Sequence, residues 1–427
     1  MTNADFVCHG CGAKVDAARQ LPFRCPGSGQ IPDDIDHLLV PADIPGFVSG
    51  FEDDPFLRYR TLLSPYRLAL AWGLSDEAWF DIEGRLDQAL IRVDGRGFRL
   101  TPMAPQPALA EAAGCRGVLW VKDETGNVAG SHKARHLMGV MLYLKVLAAA
   151  GRPAGEGLAS RRLAIASCGN AALAAAVLAR AADWPLDVFI PPDASPAVVA
   201  RLTELGAAIT VCERRDDEAG DPCYHAFRRA VADGAIPFGV QGPDNGLAIE
   251  GGRTLAFEMA ETFRDADAQV DTLFIQVGGG ALASALGQGF AIAAKAGVIA
   301  RPPRLMAVQT EGCAPLARAW EKLGPGNLTD AAGHKSRFMW PWEATPHSLA
   351  HGILDDETYD WWAIAEAMRN SGGNPVVATE AAVAEAYRLA GTHTAIPASA
   401  TGTAGLAGLL SRPAEGTTAL IFSGADR

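Results

Sequence analysis

Lys133 stands in Val121-Lys-Asp-Glu-Thr-Gly-Asn-Val-Ala-Gly-Ser-His-Lys-Ala-Arg135, directly after a polar, glycine-containing turn and at the start of an apolar stretch that predicts a helix. At a helix N-terminus the positive end of the macrodipole and partial removal from water both disfavour an ammonium ion. The free amine that results attacks carbonyl carbon, so Lys133 is a candidate former of a covalent imine. An isolated lysine at a helix start is more commonly solvated, and the assignment therefore depends on what accompanies it.

Three further places supply company. The apolar run Leu163-Ala-Ile-Ala166 reads as a buried strand, followed by Ser167-Cys-Gly-Asn-Ala171 and an alanine-rich helix to about Arg180. That strand, turn and helix offer backbone N–H groups and an amide side chain as a seat for a carboxylate or another anion. Asp271-Thr-Leu-Phe-Ile-Gln-Val277 predicts a second buried strand, followed by Gly278-Gly-Gly-Ala-Leu282 and a helix over 283–296. Consecutive glycines let the backbone approach a phosphate closely, and the helix dipole stabilises its charge. Finally Thr418-Ala-Leu-Ile-Phe422 predicts a last strand that delivers Ser423-Gly424.

A lysine, an Asn-bearing turn, a glycine loop and a terminal Ser-Gly, in that order, resemble the fold-type II pyridoxal-phosphate enzymes of the tryptophan synthase beta superfamily, threonine synthase-like members in particular. The resemblance starts at Thr101-Pro-Met103, passes through Leu119-Trp-Val-Lys-Asp-Glu124 and Asn245-Gly-Leu-Ala-Ile-Glu-Gly-Gly-Arg-Thr-Leu-Ala-Phe-Glu258, and ends at Ser423-Gly424. It implies that Lys133 attaches pyridoxal 5'-phosphate covalently and later moves the substrate Cα proton. It further implies that Asn170 bonds the 3′-oxygen of the pyridine ring, that Gly278, Gly279, Gly280, Ala281 and Leu282 cradle the phosphate, and that Ser423 faces the ring nitrogen. Ser167, Cys168, Gly169 and Ala171 would frame the substrate carboxylate. A neutral hydroxyl at the ring nitrogen makes a milder electron sink than a carboxylate would, which favours expulsion of a leaving group over a long-lived carbanion.

The departures from the family pattern carry information too. His132 stands before the lysine where threonine synthases and dehydratases commonly have Phe, a feature shared with tryptophan synthase β-subunits. Two roles are open to it, a second acid/base near the cofactor and a packing histidine that donates one hydrogen bond. Arg135 and His136 follow on the same helix, Arg135 about 200° around the axis from Lys133, and neither is given a catalytic role. Cys168 replaces the usual Ser or Thr, and it is either a thiol activated by the helix N-terminus or an inert small residue. In His347-Ser-Leu-Ala-His-Gly-Ile-Leu-Asp-Asp-Glu-Thr-Tyr-Asp-Trp361, neither His351 nor Asp355 and Asp356 supplies a cation for a substrate phosphate.

Near the N-terminus Cys8-His-Gly-Cys11 is followed by Cys25. Threonine synthase-like proteins often begin with a zinc ribbon of two CxxC pairs, and here the second pair lacks its last cysteine. Tetrahedral zinc needs a fourth ligand, and His37 is the nearest donor, giving a structural Cys₃His site from Cys8, Cys11, Cys25 and His37.

These groups are positioned by alternating strands and helices, with strand-like runs at 186–190, 208–212, 271–277, 305–308 and 419–422, a pattern that predicts an α/β fold with parallel sheets. The resemblance implies two such domains: a large cofactor-binding domain from 46–124 and 241–427, a small one from 125–240 carrying the Asn loop, and a zinc-ribbon-like extension over 1–45. The 427 residues suffice for this, and 49 acidic against 37 basic residues give a net charge of −12, unlike a nucleic-acid binder. A polar, acidic start, no apolar run long enough for a membrane span, and eight scattered cysteines predict a cytoplasmic protein with reduced thiols. The expected activity is β- or γ-elimination from a small amino acid, of dehydratase or ammonia-lyase type, with or without replacement. Threonine synthase activity on O-phosphohomoserine, racemisation, and a catalytically silent cofactor-binding protein are the alternatives. A homodimer is the family expectation.

Overall fold

Two sheets with parallel cores place the site segments at the carboxyl ends of their strands. The computed structural model describes residues 5–29, 33–44, 46–214, 220–326 and 328–426, so the polar start Met1–Ala4 lies outside the described residues. The larger sheet runs in the order Asn374–Ala378, Arg304–Thr310, Thr272–Gln276, Thr418–Phe422, Leu119–Asp123 and Met103–Pro105, parallel except for the antiparallel last pair. The smaller sheet is parallel throughout, in the order Ala208–Val211, Leu186–Ile190, Leu163–Ala166 and Ile236–Pro237.

Strands Thr272–Gln276 and Thr418–Phe422 are buried along their whole length, which explains their unbroken apolar sequence: both faces are covered by helices. One face of the larger sheet packs on helices Gly246–Asp265, Ala281–Lys295 and Trp361–Ser371, and the other on Glu380–His393 and Ala400–Ser411. The predicted strands all form. Missing from the sequence reading as strands are Leu119–Asp123, the two-residue Ile236–Pro237, Asn374–Ala378, opened by Asn-Pro, and the antiparallel edge Met103–Pro105, which is too short to show alternation. The expectation of parallel sheets is corrected at that one edge.

Within residues 46–124, expected with the large domain, strands Met103–Pro105 and Leu119–Asp123 do lie in the larger sheet, and the difference is confined to the helices before them. Phe56, Leu63, Trp79, Ile82, Leu86 and Leu90, from helices between Pro55 and Asp94, bury instead in one core with Leu137, Met141, Leu173 and Leu178 of the smaller sheet's helices. Their apolar stripes match the surface of those helices, so the stretch from Pro55 to Asp94 joins the smaller unit before the chain enters the larger sheet. Lys14–Val15, Phe6–Cys8 and Leu39–Pro41 form a small antiparallel sheet.

The Lys133–Ala149 helix is buried over nearly all its length, and it crosses Gly246–Asp265 where both lack side chains. A Cβ on Gly139 would stand 2.9 Å from the Gly251 Cα, and one on Gly251 would stand 2.3 Å from the Arg135 carbonyl oxygen. Among the described residues no single helix is long and apolar enough to cross a membrane.

Candidate active site

The turn before Lys133 is pinned on three sides. The Glu124 amide donates to the Phe422 carbonyl and the Ala425 amide to the Gly130 carbonyl, which ties the turn to the end of the chain. Asn127 caps the turn through Val128 and donates to Glu124. Ala129 takes φ +53°, a left-handed conformation that costs an alanine about 1–2 kcal/mol, and its amide is held by Asp94 at 2.8 Å. This strained turn launches the helix, with His132 as its N-cap and Lys133 as its first residue.

Lys133 is half-buried. Burial holds its ammonium below the ordinary lysine range, although Asp355 and Asp360 pull the other way. The direction is the one the sequence argument called for: burial makes this ammonium easier to deprotonate than an ordinary lysine's. His132, buried, is held well below the ordinary histidine range by burial first and then by Lys133, His136 and Arg135, so it is neutral at pH 7. Its backbone N–H donates to Ser423 Oγ at 3.0 Å, and its ring Nδ1 lies 2.5 Å from the same oxygen. Its Nε2 is buried without a partner.

The Asn turn arrives from the smaller sheet. A Cβ on Gly424 would stand 2.6 Å from Asn170 Nδ2, so the carboxyl ends of the two sheets face each other there. Ser167 Oγ accepts from the Gly169 amide at 3.4 Å, and Ala171 lies inside the helix that Asn170 opens. Burial pushes the Cys168 thiol above the ordinary range, reinforced by Asp193, Asp355 and Asp221. Of the two readings of Cys168, this direction favours the inert one, because burial and then the acidic neighbours disfavour the thiolate.

Gly278, Gly279 and Gly280 run from the strand into the Ala281–Lys295 helix, with Gly280 at φ +102°. Leu282 and Ala281 form its first turn, both buried. Each glycine is closely walled: a Cβ on Gly278 would meet Asp355 Oδ2 at 2.3 Å, and one on Gly280 would meet Ile364 Cδ1 at 2.6 Å. The loop already receives an anion, since the Gly279 amide donates to Asp355 Oδ2 at 2.7 Å. An amide at a helix N-terminus that already holds a carboxylate oxygen is chemically able to receive another anion. A phosphate at the glycines, a carbonyl carbon at Lys133 and ring groups near Ser423 and Asn170 fit what the residues offer.

Two acids beside the lysine were not singled out for the site from the sequence. Burial pushes Asp355 up to about 6 and Asp360 up to about 8, with Lys133 opposing in both cases. Asp360 accepts from the Gly242 amide through Oδ2 and leaves Oδ1 buried without a partner. Arg135, denied a catalytic role, is fully buried in a neutral quartet. Its Nε and Nη2 reach both oxygens of Glu124 at 2.8 and 2.9 Å, its Nη1 reaches Glu258, and Glu258 also receives Lys122 Nζ at 2.6 Å. His136 donates from Nδ1 to the Ala248 carbonyl at 2.7 Å and packs on Gly252.

Residues 96–424 match the family described as pyridoxal-phosphate dependent enzymes. The chain belongs to that family. It is therefore a pyridoxal-phosphate dependent enzyme of fold type II. It is 27% identical to threonine synthase from Synechocystis sp. over 330 residues, 76% of this chain and 75% of that protein. It is 32% identical to a serine dehydratase-like protein from Rattus norvegicus over 187 residues, 43% of this chain and 50% of that protein. Among solved structures, the T.th. threonine deaminase aligns with a TM-score of 0.60 at 22% identity, covering 81% of this chain and 98% of that one. Diaminopropionate ammonia lyase from Escherichia coli aligns with a TM-score of 0.61 at 16% identity, covering 82% and 89%. These structures share the fold.

In the N-terminal segment, Cys8, Cys11, Cys25 and His37 converge, with their ligand atoms all within 4.8 Å of one another. Cys8 Sγ lies 3.4 Å from His37 Nδ1, and Cys11 Sγ lies 3.5 Å from Cys25 Sγ. Asp33 holds His37 Nε2 at 3.0 Å, which presents Nδ1 to the sulfurs. The Gly27 amide donates to Cys25 Sγ at 3.3 Å.

Proposed function

We propose that this enzyme is a lyase that removes a β- or γ-substituent from a small amino acid, of dehydratase or ammonia-lyase type. The carrying observation is the pairing of a half-buried Lys133, its ammonium held below the ordinary lysine range by burial, with a Ser423 hydroxyl locked to His132 where a carboxylate would strengthen the electron sink. The bound cofactor supplies the delocalisation that acidifies the substrate Cα–H. Lys133 Nζ takes that proton as general base, which requires the neutral amine, a form that burial brings within easier reach. Asn170 and Ser423 would orient the ring, and the glycine loop would hold the phosphate. Ser167, Gly169 and Ala171 would receive the substrate carboxylate at a helix N-terminus, with Cys168 as an inert wall. His132 and Ser423 fix the lysine turn between the two sheets.

Threonine synthase activity is the second reading, favoured by the Synechocystis relative. It asks for a cation beside a substrate phosphate, and in the 347–361 segment Asp356 already holds the nearby Arg214 at 3.0 Å. A panel of serine, threonine, 3-hydroxyaspartate and 2,3-diaminopropionate, read by ammonia and oxo-acid release, tests the lyase. Phosphate release from O-phosphohomoserine would select the second reading, and deuterium exchange at Cα without consumption would select a racemase. No turnover and no exchange would leave a silent binder.

The Cys8, Cys11, Cys25 and His37 cluster suits one structural Zn²⁺, with soft thiolates, one imidazole and four donors within reach of a single ion. Metal analysis of the purified chain tests it. The cytoplasm and a homodimer complete the reading, and sedimentation of the purified chain tests the dimer.

A further inference from the structure

The glycine loop, where the proposed site would seat the cofactor's phosphate, holds a carboxylate. The Gly279 amide donates to Asp355 Oδ2 at 2.7 Å, and the same oxygen would stand 2.3 Å from a Cβ on Gly278. Ile353 closes the same wall, its Cα 2.9 Å from that Cβ position, and Cys313 Sγ donates to the Asp355 carbonyl at 3.3 Å. Asp355 is thus carried on a backbone that lies against the loop. Two anions cannot share one amide seat at low dielectric without large repulsion.

We infer that Asp355 is an internal competitor for the phosphate seat, and that loading the cofactor requires its carboxylate to leave the Gly279 amide or to take up a proton. This rests on the pyridoxal-phosphate reading and adds to it a control of cofactor loading. The groups that face Asp355 fix the sign. Lys133, while protonated, is the cation beside it and favours the ionised form. Against it stand Asp221 from the smaller unit and Asp356 from its own segment, while Tyr359 and the thiols of Cys168 and Cys313 also feel its charge. Arg214 is spent on Asp356. Burial pushes Asp355 up to about 6, so the carboxylate is mostly ionised at neutral pH and competes most strongly above that value.

The test compares pyridoxal 5'-phosphate with pyridoxal, which lacks the phosphate, on the apoprotein. The dissociation constants are read from cofactor absorbance and quenching of tryptophan fluorescence. Their ratio isolates the phosphate seat from any change at Lys133. Asp355→Asn should raise the preference for the phosphorylated form at least about tenfold near pH 8, and the gap should narrow as pH falls below about 6, where the wild-type carboxyl is protonated. If the variant does not fold, the wild type still decides. Its preference for the phosphorylated form should weaken from about pH 5.5 to 8, opposite to the gain that the phosphate's own second ionisation, near pH 6, would give. A ratio unmoved by Asp355→Asn, or a wild-type preference that strengthens with pH, overturns the competitor while leaving the cofactor reading intact. Failure of both ligands to bind overturns both.

Discussion

His132 and Ser423, 291 residues apart, share one hydrogen-bonded junction: the His132 backbone N–H and ring Nδ1 both meet the Ser423 hydroxyl oxygen. The residue beside the lysine is thereby fastened to the end of the last strand. Ser423→Ala leaves a buried N–H and ring nitrogen without a partner, which should cost about 1–3 kcal/mol. Denaturant melts of the wild type and variant check this. A loss below about 0.5 kcal/mol, the scatter for an ordinary surface change, would show that the junction does not hold the turn.

Glu258→Gln should cost about 3–5 kcal/mol, the usual penalty for breaking a buried ion pair by removing one partner. Burial alone would raise the Glu258 carboxyl, but Arg135 and Lys122 overcompensate and hold it below the ordinary glutamate range. Its stabilisation is therefore present above the unfolded value and lost as pH falls through the depressed folded value. Chemical denaturation between about pH 7 and 3 should show the wild type and variant converging at the acid end.

Glu83 carries the opposite sign. Burial, then repulsion from Asp54 and Asp87, pushes it up to about 10, and Asp54 beside it is pushed up to about 7, chiefly by burial. A raised carboxyl favours folding fully only below its unfolded value of 4.5 and loses that contribution as pH rises towards 10. Glu83→Gln mimics the protonated form, so it should melt higher than wild type at pH 7 and close to it at about pH 4. A variant that melts lower at pH 7 would mean that the three carboxylates hold a cation rather than a proton.

The N-terminal cluster ties into the larger unit. The Lys335 amide donates to the Asp34 carbonyl, the Asp36 amide to the Ala332 carbonyl, and the His9 ring packs edge-on against Trp362 at 4.1 Å. Purified protein should carry one zinc per chain, and Cys25→Ser and His37→Ala should each lose it and melt several degrees lower. Wild-type protein with no zinc, in buffers free of chelator, would contradict the metal.

Much of the site was legible because its parts are local. Lys133, the Ser167–Ala171 turn and Gly278–Leu282 each follow an apolar strand or turn that marks its own place, and each strand formed where its apolar run predicted. The Cys8–Cys11 pair was legible by spacing, and Cys25 and His37 by nearness. What escaped was long-range. Nothing near Asp355 in the chain says that it reaches Gly279, 76 residues away, and nothing near Arg135 says that Glu258 will neutralise it. The placement of helices Pro55–Asp94 on the smaller unit was hidden for the same reason, since an apolar stripe states that a face is buried without naming its partner.

Reduction with borohydride after reconstitution with pyridoxal 5'-phosphate, followed by peptide mass mapping, tests the central assignment most directly. A single cofactor adduct on Lys133, absent in Lys133→Ala, is the predicted result. An adduct on another lysine, or none from protein that binds the cofactor, would contradict it.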